Sequence, residues 1–600
     1  MAVPWDLVLF VNPKIDASPR IASVTRSRAM CRACRARGRT RASTSSPVTV
    51  VDAAVDVACA PCDDDDASGK TRSMRSNYDV VVVGAGAAGT EFARTWSEEV
   101  STGGRSCVVV ARDGAATNAR AREIWRRATR WDAETTALGD AFASTIDVVR
   151  GDVVHADAVG KTVMIRTALG ATRAVGYGTL VIASGGTPRS PTPAVADPRA
   201  VDVRFVRDVE SVESVARALG DAARGAKRVA VVGNGGVALE LVDALCGRGV
   251  ETGEASSDAS SDDDLGELVW LVRHDAIGDA FFDVDAGGFL ARALERRRAA
   301  ASTGAAKTRA FLRAEIPLTR DRGRKRARAG HGTAKTRAGF GAAAGPDWLD
   351  DFDRAAGVGG RRRRMRLRVV KNAEIRDATR DETTNVSALT LSDGTTIDVD
   401  IVVAAAGVDP RCDWLPESAA PRSKVDGGVL VDECMRTVGA HADSIFAVGD
   451  ACSMESRSAA PDVPWFQMRL WSQAAQTGAF AARVVAGVAD AEAFGFNFEL
   501  FTHVTTFFGL KVVLLGLYNA QKLEGERDED VVTYQRETLD GDAPTYVRVL
   551  LARGRMRGAV LIGDTDLEET FENLILDRVD LSRFGATLLD PELDLEDYFD

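Results

Sequence analysis

Two glycine loops of one kind, 149 residues apart, constrain this chain more than any other feature. The first, Gly84-Ala85-Gly86-Ala87-Ala88-Gly89, follows the apolar run Tyr78 to Val83 and precedes a helix-compatible stretch ending near Val100. Strand, glycine turn and helix in that order divide the work. Gly84 allows the tight turn, Gly86 lets a pyrophosphate approach the backbone, and Gly89 lets helix and strand pack closely. The N–H groups at the helix start then face the anion. The second loop, Gly233-Asn234-Gly235-Gly236-Val237-Ala238, follows the strand run Arg228 to Val232 and leads into Leu239-Glu240-Leu241. A single loop of this kind is a weak signal. Two, each carried on a strand, imply two dinucleotide-binding α/β units.

The ribose-binding acid that should end the next strand is displaced. Ser106 to Ala111 runs on into Arg112-Asp113, so either Asp113 serves one position late or the ribose is held otherwise. After the second loop, the strand Leu268 to Val272 meets Arg273-His274-Asp275. A cation there suits the 2'-phosphate of NADPH and an acid suits NADH, and both are present. Thr179 to Pro188 and Ile401 to Pro410 are apolar strands ending in small-residue turns, Ala183-Ser184-Gly185 and the turn at Gly407, where the chain passes between domains. Ile445 to Cys452 closes on Gly449-Asp450, a carboxylate placed to accept hydrogen bonds from a ribityl chain. Glu240 either orients a nicotinamide or is a helix-surface acid.

This order, with the second fold inside the first, resembles the two-dinucleotide-binding flavoproteins of the class I pyridine nucleotide-disulphide oxidoreductase superfamily. The resemblance implies an α/β protein of two Rossmann-like dinucleotide-binding domains, the NAD(P) domain inserted in the FAD domain, plus a C-terminal α+β domain. The expected boundaries are 76–226 and 397–490 for the FAD domain, 227–396 for the NAD(P) domain with a basic insertion at 292–337, and 491–600 for the C-terminal domain. In that architecture NAD(P)H passes a hydride to FAD, and the cofactor supplies the difficult chemistry.

Superfamily disulphide reductases also have a redox cysteine pair in the helix after the first glycine loop and a His-Glu pair near the C-terminus. Here Cys107 stands alone in that region, on the second strand, and His503 is the only histidine after the Gly-Asp motif, without a His-Pro dipeptide. No catalytic residue or disulphide is therefore assigned. Trp465 to Ala474, Phe501 to Thr505, Lys511 to Gly516, Leu561 to Leu576 and Leu588 to Asp600, with Ala276-Ile277-Gly278, Phe281-Phe282-Asp283 and Gly345 to Trp348, resemble a branch of the superfamily that lacks the pair. That resemblance implies an FAD-containing NAD(P)H oxidoreductase of cytoplasm and nucleus, linked to protecting the tRNA ligase complex from oxidative inactivation. The other reading is a flavin-bound, redox-sensing interaction protein of an RNA-processing complex with little turnover. A helix starting near Pro464 would point its positive end at the flavin N1 and C2=O, with Trp465, Gln467 and Arg469 lining the site. Alternatively Trp465 and Trp471 are core anchors and Arg469 is a solvated end.

Composition sets the outer limits. With 45% apolar and 27% charged residues among 600, the chain buries a large core and is neither wholly disordered nor a small stapled scaffold. The net charge of -11 is local: Asp564 to Asp600 holds 13 acids and 2 arginines, leaving 74 acids (87 less 13) against 74 bases (76 less 2) elsewhere. There, Leu567, Phe571, Leu574 and Ile575 recur at helical spacing, which puts the acids on the outer face of a packed helix. Residues 1–75 form a leader that reads as a transit peptide or an unstructured extension: Ser18 to Val51 has 8 arginines and no acid. Its pairs Cys31/Cys34 and Cys59/Cys62 have the spacing of a four-thiolate zinc site, but arginine-rich and Asp63 to Asp66 acidic surroundings disfavour one, and no metal is assigned. The strip Arg292 to Arg337, 15 bases against 3 acids, reads as an RNA contact, an import signal, a docking strip or a solvated loop; Phe311 is its only aromatic, which argues against base stacking. No run of 18 apolar residues offers a membrane span.

Overall fold

The structure is a computed structural model that describes residues 75–98, 103–112, 114–124, 127–142, 145–167, 169–220, 228–247, 266–302, 336–339, 365–454, 463–523, 525–539 and 544–591, with 593 and 595. The leader with its two cysteine pairs, Asp113, residues 303–335 of the basic strip and the Gly345 to Trp348 block lie outside them.

The first glycine loop leaves the middle of a parallel sheet. Strand Asn77–Val83 pairs on one side with Cys107–Ala111 and on the other with Thr172–Ile182. Ile146–Asp157 extends the first side and Ile445–Ala447 the second, all parallel. Val80 to Val83, Val108 to Val110 and Leu180 to Ile182 are all buried, the continuous apolar run required of strands covered on both faces. Thr162–Thr167 bridges Ile146–Asp157 to Thr172–Ile182 by antiparallel pairing.

The second sheet repeats the plan. Arg228–Val232 lies between Gly266–Leu271 and Ile401–Ala404, with Met365–Val370 and Val203–Phe205 at the edges, all parallel. It begins and ends in sequence before Ile445–Ala447 returns to the first sheet, so one dinucleotide fold is inserted in the other. Its limits are wider than expected at both ends. Val203–Phe205 and Ile401–Ala404 belong to this sheet although they precede residue 227 and follow residue 396. Three- and four-residue strands carry too little periodicity to declare their sheet; cross-strand partners far away in sequence decide it. The basic strip also starts later as an insertion, because Arg292 to Ser302 continues helix Val284–Ser302, whose Phe289, Leu290, Ala293 and Leu294 are buried.

The C-terminal part is a five-stranded antiparallel sheet in the order Thr502–Phe507, Leu510–Gly516, Arg555–Ile562, Thr545–Ala552, Val531–Thr538. Helix Glu568–Asp577 covers one face with Phe571, Leu574 and Ile575, which pack on Val513, Leu515, Val549 and Leu561. Among the described residues no helix is long and apolar enough to cross a membrane.

Candidate functional site

The two glycine loops are built on the same local device. Gly84 has φ +111°, and a Cβ there would lie 2.2 Å from the Ala183 carbonyl oxygen; Gly233 has φ +139°, and its Cβ would lie 2.2 Å from the Ala405 oxygen. Each first glycine therefore turns back-to-back against the small-residue turn that ends a neighbouring strand, and only glycine fits. Gly89 is closed in the same way, with a Cβ placed 2.0 Å from the Gly84 oxygen, whereas Ala238, its counterpart, is buried as alanine. The middle glycines differ: nothing lies within 4 Å of a Cβ at Gly86 or Gly235. The open space is where each fold needs a pyrophosphate to approach, beside the N-termini of helices Ala87–Glu98 and Gly236–Gly247.

The Ala183-Ser184-Gly185 and Gly407 turns are joined to one another. Arg411 N–H donates to Gly185 O at 2.8 Å, Ser184 Oγ donates to Arg411 O, and Arg189 N–H donates to Gly407 O at 2.9 Å. Strands Gly186–Pro188 and Val408–Pro410 pair antiparallel between them, so the two crossings from one fold to the other run side by side.

Gly449-Asp450 meets the first glycine loop. A Cβ on Gly449, φ +63°, would sit 2.9 Å from the Ala88 methyl, and its N–H donates to Thr477 Oγ1 at 3.0 Å. The Asp450 carboxylate, 12% exposed, ion-pairs with Arg207 at 2.9 Å, a partner the sequence did not suggest. Arg469 donates from Nε to Asp450 O at 3.2 Å and ion-pairs with Asp426 at 2.5 Å, both side chains about as covered as Asp450, so Arg469 is no solvated end.

The expected helix from Pro464 starts later, at Trp471, and runs to Ala486. Arg469 takes φ +48°, outside the helical region, and Gln473 holds the preceding turn by accepting from Met468 N–H at 2.6 Å and donating to Phe466 O at 2.7 Å. Residues 463–470 thus form an extended strap. On it, the Trp465 ring packs edge-on against Phe498 at 4.9 Å and Phe494 at 6.1 Å, buried in an aromatic core, not lining a cleft. Gln467 donates to Cys452 O at 3.1 Å and Gly449 O at 3.3 Å and accepts from Met454 N–H at 3.1 Å, so it holds the Gly-Asp turn.

At the second loop, Glu240 is 5% exposed, which excludes the surface-acid reading. Asn234, quoted in the motif without a role, accepts from Gly278 N–H at 2.6 Å and donates to Ala276 O at 2.8 Å and to Asp279, whose other oxygen lies 2.7 Å from His274 Nδ1. The two charged candidates for the nucleotide ribose are engaged, Arg273 with Glu374 at 2.8 Å and Asp275 near Lys371 at 3.9 Å. Burial pushes the Cys107 thiol far above its usual range and the Cys452 thiol up to about 12, so neither ionises near neutrality.

These features define a pyridine-nucleotide-linked oxidoreductase of paired Rossmann-type folds. The chain belongs to the pyridine nucleotide-disulphide oxidoreductase family, whose sequence model matches residues 78–311 and 348–478. Among its relatives, the proteins called pyridine nucleotide-disulfide oxidoreductase domain-containing protein 1 are 34% identical over 418 residues in Mus musculus (66% of this chain, 74% of that protein) and 33% identical over 473 residues in Drosophila melanogaster (78% and 87%). Solved structures share the fold: a NAD-dependent persulfide reductase from A. fulgidus (TM-score 0.55, 18% identity, 85% of this chain and 78% of that one) and a water-forming NADH oxidase from Lactobacillus brevis (0.52, 14%, 84% and 92%).

Proposed function

We propose that the chain is an FAD-dependent oxidoreductase that takes hydride from NAD(P)H, works without a catalytic disulphide, and has the tRNA ligase complex as the client it protects from oxidation. The carrying observation is the pair of glycine loops, each backed against a small-residue turn and each leaving open space at its middle glycine. Those residues fit two dinucleotides: FAD at Gly84, Gly86 and Gly89 with Ala183, Ser184, Gly185, Gly449 and Asp450, and NAD(P)H at Gly233, Gly235 and Ala238 with Glu240 and Gly407. Bound FAD supplies the hydride and electron transfer chemistry.

The chain's own groups bind and polarise. The helix N-termini after Gly86 and Gly235 give N–H donors and positive potential to pyrophosphate oxygens. The Asp450 carboxylate, paired with Arg207, would accept from ribityl hydroxyls. The largely covered Arg469 donates to Asp450 O and pairs with Asp426, and the N-terminus of Trp471–Ala486 adds positive potential on that side of the site. A protonated thiol is a poor nucleophile, so neither Cys107 nor Cys452 is suited to a thiolate relay. The client assignment rests on the resemblance of the distal blocks.

Anaerobic mixing of the yellow full-length protein with NADH and with NADPH should bleach its visible flavin absorbance; colourless protein, or no bleaching with either donor, refutes the enzyme. Oxygen, a quinone and an oxidised thiol client are then supplied in turn. Bleaching that none of them reverses would favour a redox-sensing scaffold instead. Adding the protein and NADPH to tRNA ligase complex in air should preserve ligation, and equal loss with and without it would remove the client.

A further inference from the structure

The segment Ala276 to Asp283 follows strand Gly266–Leu271 at the carboxyl end of its sheet, the side on which open α/β sheets bind their nucleotides. Asn234 of the second glycine loop holds its near end through Gly278 N–H and Ala276 O. Its far end is held by a different part of the chain. The Tyr518 hydroxyl, fully buried, donates to Phe281 O at 2.9 Å. Arg548 ion-pairs with Asp283 at 2.8 Å, the two side chains 14% and 7% exposed. Asp283 accepts from Asp285 N–H and Ala286 N–H at 3.0 and 2.9 Å, capping helix Val284–Ser302, and the Tyr546 hydroxyl reaches the same oxygen at 3.3 Å. Phe281 packs edge-on against His503 and Phe507 at 5.7 and 5.6 Å. Every one of these outer partners lies in the C-terminal sheet or in the turn that follows its strand Leu510–Gly516.

Asp283 caps the helix, and either member of the buried charge pair left alone in that place would be strongly unfavourable, so each holds the other there. The outer end of the segment is therefore fixed by residues from the C-terminal part, and its inner end is the wall of the second glycine loop. Tyr518 also packs toward the flavin side, its ring 5.8 Å from Phe466, the neighbour of the Gln467 that holds the Gly-Asp turn. One side chain stands between the supports of both cofactor loops: its hydroxyl donates to Phe281 O and lies 3.9 Å from Met468 Sδ of the strap, and its ring packs on Phe466.

We propose that the C-terminal sheet sets the pyridine-nucleotide site from outside it, with Tyr518 and Arg548 as positioning residues for the 276–283 segment. This rests on the assignment of NAD(P)H to the second glycine loop. The discriminating variant is Tyr518→Phe, which deletes the hydroxyl and keeps the ring against Phe466 and Phe501. In full-length, flavin-loaded protein its dissociation constants for NADH and NADPH should each rise about five- to tenfold, the effect of one buried hydrogen bond. The limiting rate of flavin reduction and the flavin content should stay within about twofold of wild type. Without nucleotide, amide exchange in the 276–283 segment should be faster. Arg548→Met should act in the same direction and more strongly, with Arg548→Lys recovering part of the affinity.

Asn234→Ala combined with Tyr518→Phe should be non-additive in nucleotide affinity, since both act on one segment. Unchanged dissociation constants in Tyr518→Phe, a parallel loss of flavin and nucleotide, or strict additivity in the double variant overturns the proposal. A wild-type protein that holds flavin but binds neither nucleotide removes the reading on which it rests, and the proposal with it.

Discussion

At the scale of single residues, the glycines of each loop separate into those that make the turn and those that make room. Gly84 and Gly233 are locked by positive φ and by a carbonyl oxygen 2.2 Å from where a Cβ would be; Gly86 and Gly235 touch nothing. Gly86→Val should therefore give folded protein, with unchanged far-ultraviolet circular dichroism, that purifies without visible flavin absorbance. Gly235→Val should stay yellow and lose nucleotide affinity by at least about tenfold, equal to about 1.4 kcal/mol. Retained yellow colour in the first, or unchanged nucleotide binding in the second, contradicts the assignment of the two loops. Gly84→Ala, by contrast, should cost stability outright, about 1–3 kcal/mol from the backbone conformation alone before the clash is counted. The thiol counterpart is Cys107→Ser: with a thiol buried and protonated on a central strand, flavin reduction by NAD(P)H should proceed at the wild-type rate, and a large loss would restore a role for sulphur.

Elements were legible in proportion to how local their causes are. The strands before the two glycine loops and the helix carrying Phe571, Leu574 and Ile575 are written in runs and spacings that no distant contact needs to correct. Val203–Phe205 has no such signature, and its place at the edge of the second sheet comes from Val402, Val403 and Ala404, about two hundred residues later. The helix after Pro464 failed for a different reason: the left-handed turn at Arg469 is imposed by Gln473, Asp426 and Asp450 together, and none of these marks a break when read in sequence. The same holds for the candidate site. The backbone turns at its glycines are legible in the sequence because close packing demands that residue type, while the Asp450–Arg207 pair and the contacts that hold 276–283 are not, because an ion pair has no sequence spacing. The strap between Pro464 and Leu470 is where the two levels meet, and Gln467 tests it. Gln467→Leu leaves the Cys452 and Gly449 carbonyls and the Met454 N–H without their amide partner, at about 1–3 kcal/mol for groups so covered. A fall in thermal midpoint with loss of bound flavin is expected; a yellow protein of wild-type midpoint would show that the turn holds itself.

Across the whole molecule, the net charge and the buried contacts lie in different places. The acidic excess lies in the last 37 residues, whereas the C-terminal sheet meets the second dinucleotide fold through the buried Arg548–Asp283 pair and through uncharged rings. Among these is His503, whose ring lies 5.7 Å from that of Phe281 and whose Nε2 is shut off from solvent. Burial lowers its pKa to about 4 from an ordinary 6.5. Below 6.5 the unfolded chain takes up a proton that the folded chain refuses until about pH 4. Stability is thus complete above pH 6.5 and is lost as pH falls through that window, at about 1.4 kcal/mol per unit and at most about 3.4 kcal/mol in total. Carboxylates elsewhere also destabilise the fold in acid, so the informative quantity is a difference between proteins. His503→Leu keeps an apolar group against Phe281 and removes the titration. Its free energy of unfolding, measured by urea at pH 7 and pH 4.5, should fall by about 2 kcal/mol less than that of wild type over the same interval. Equal falls in the two proteins would mean that the ring is protonated in the folded state, and that the C-terminal sheet opens to water at His503 while the rest of the molecule remains folded.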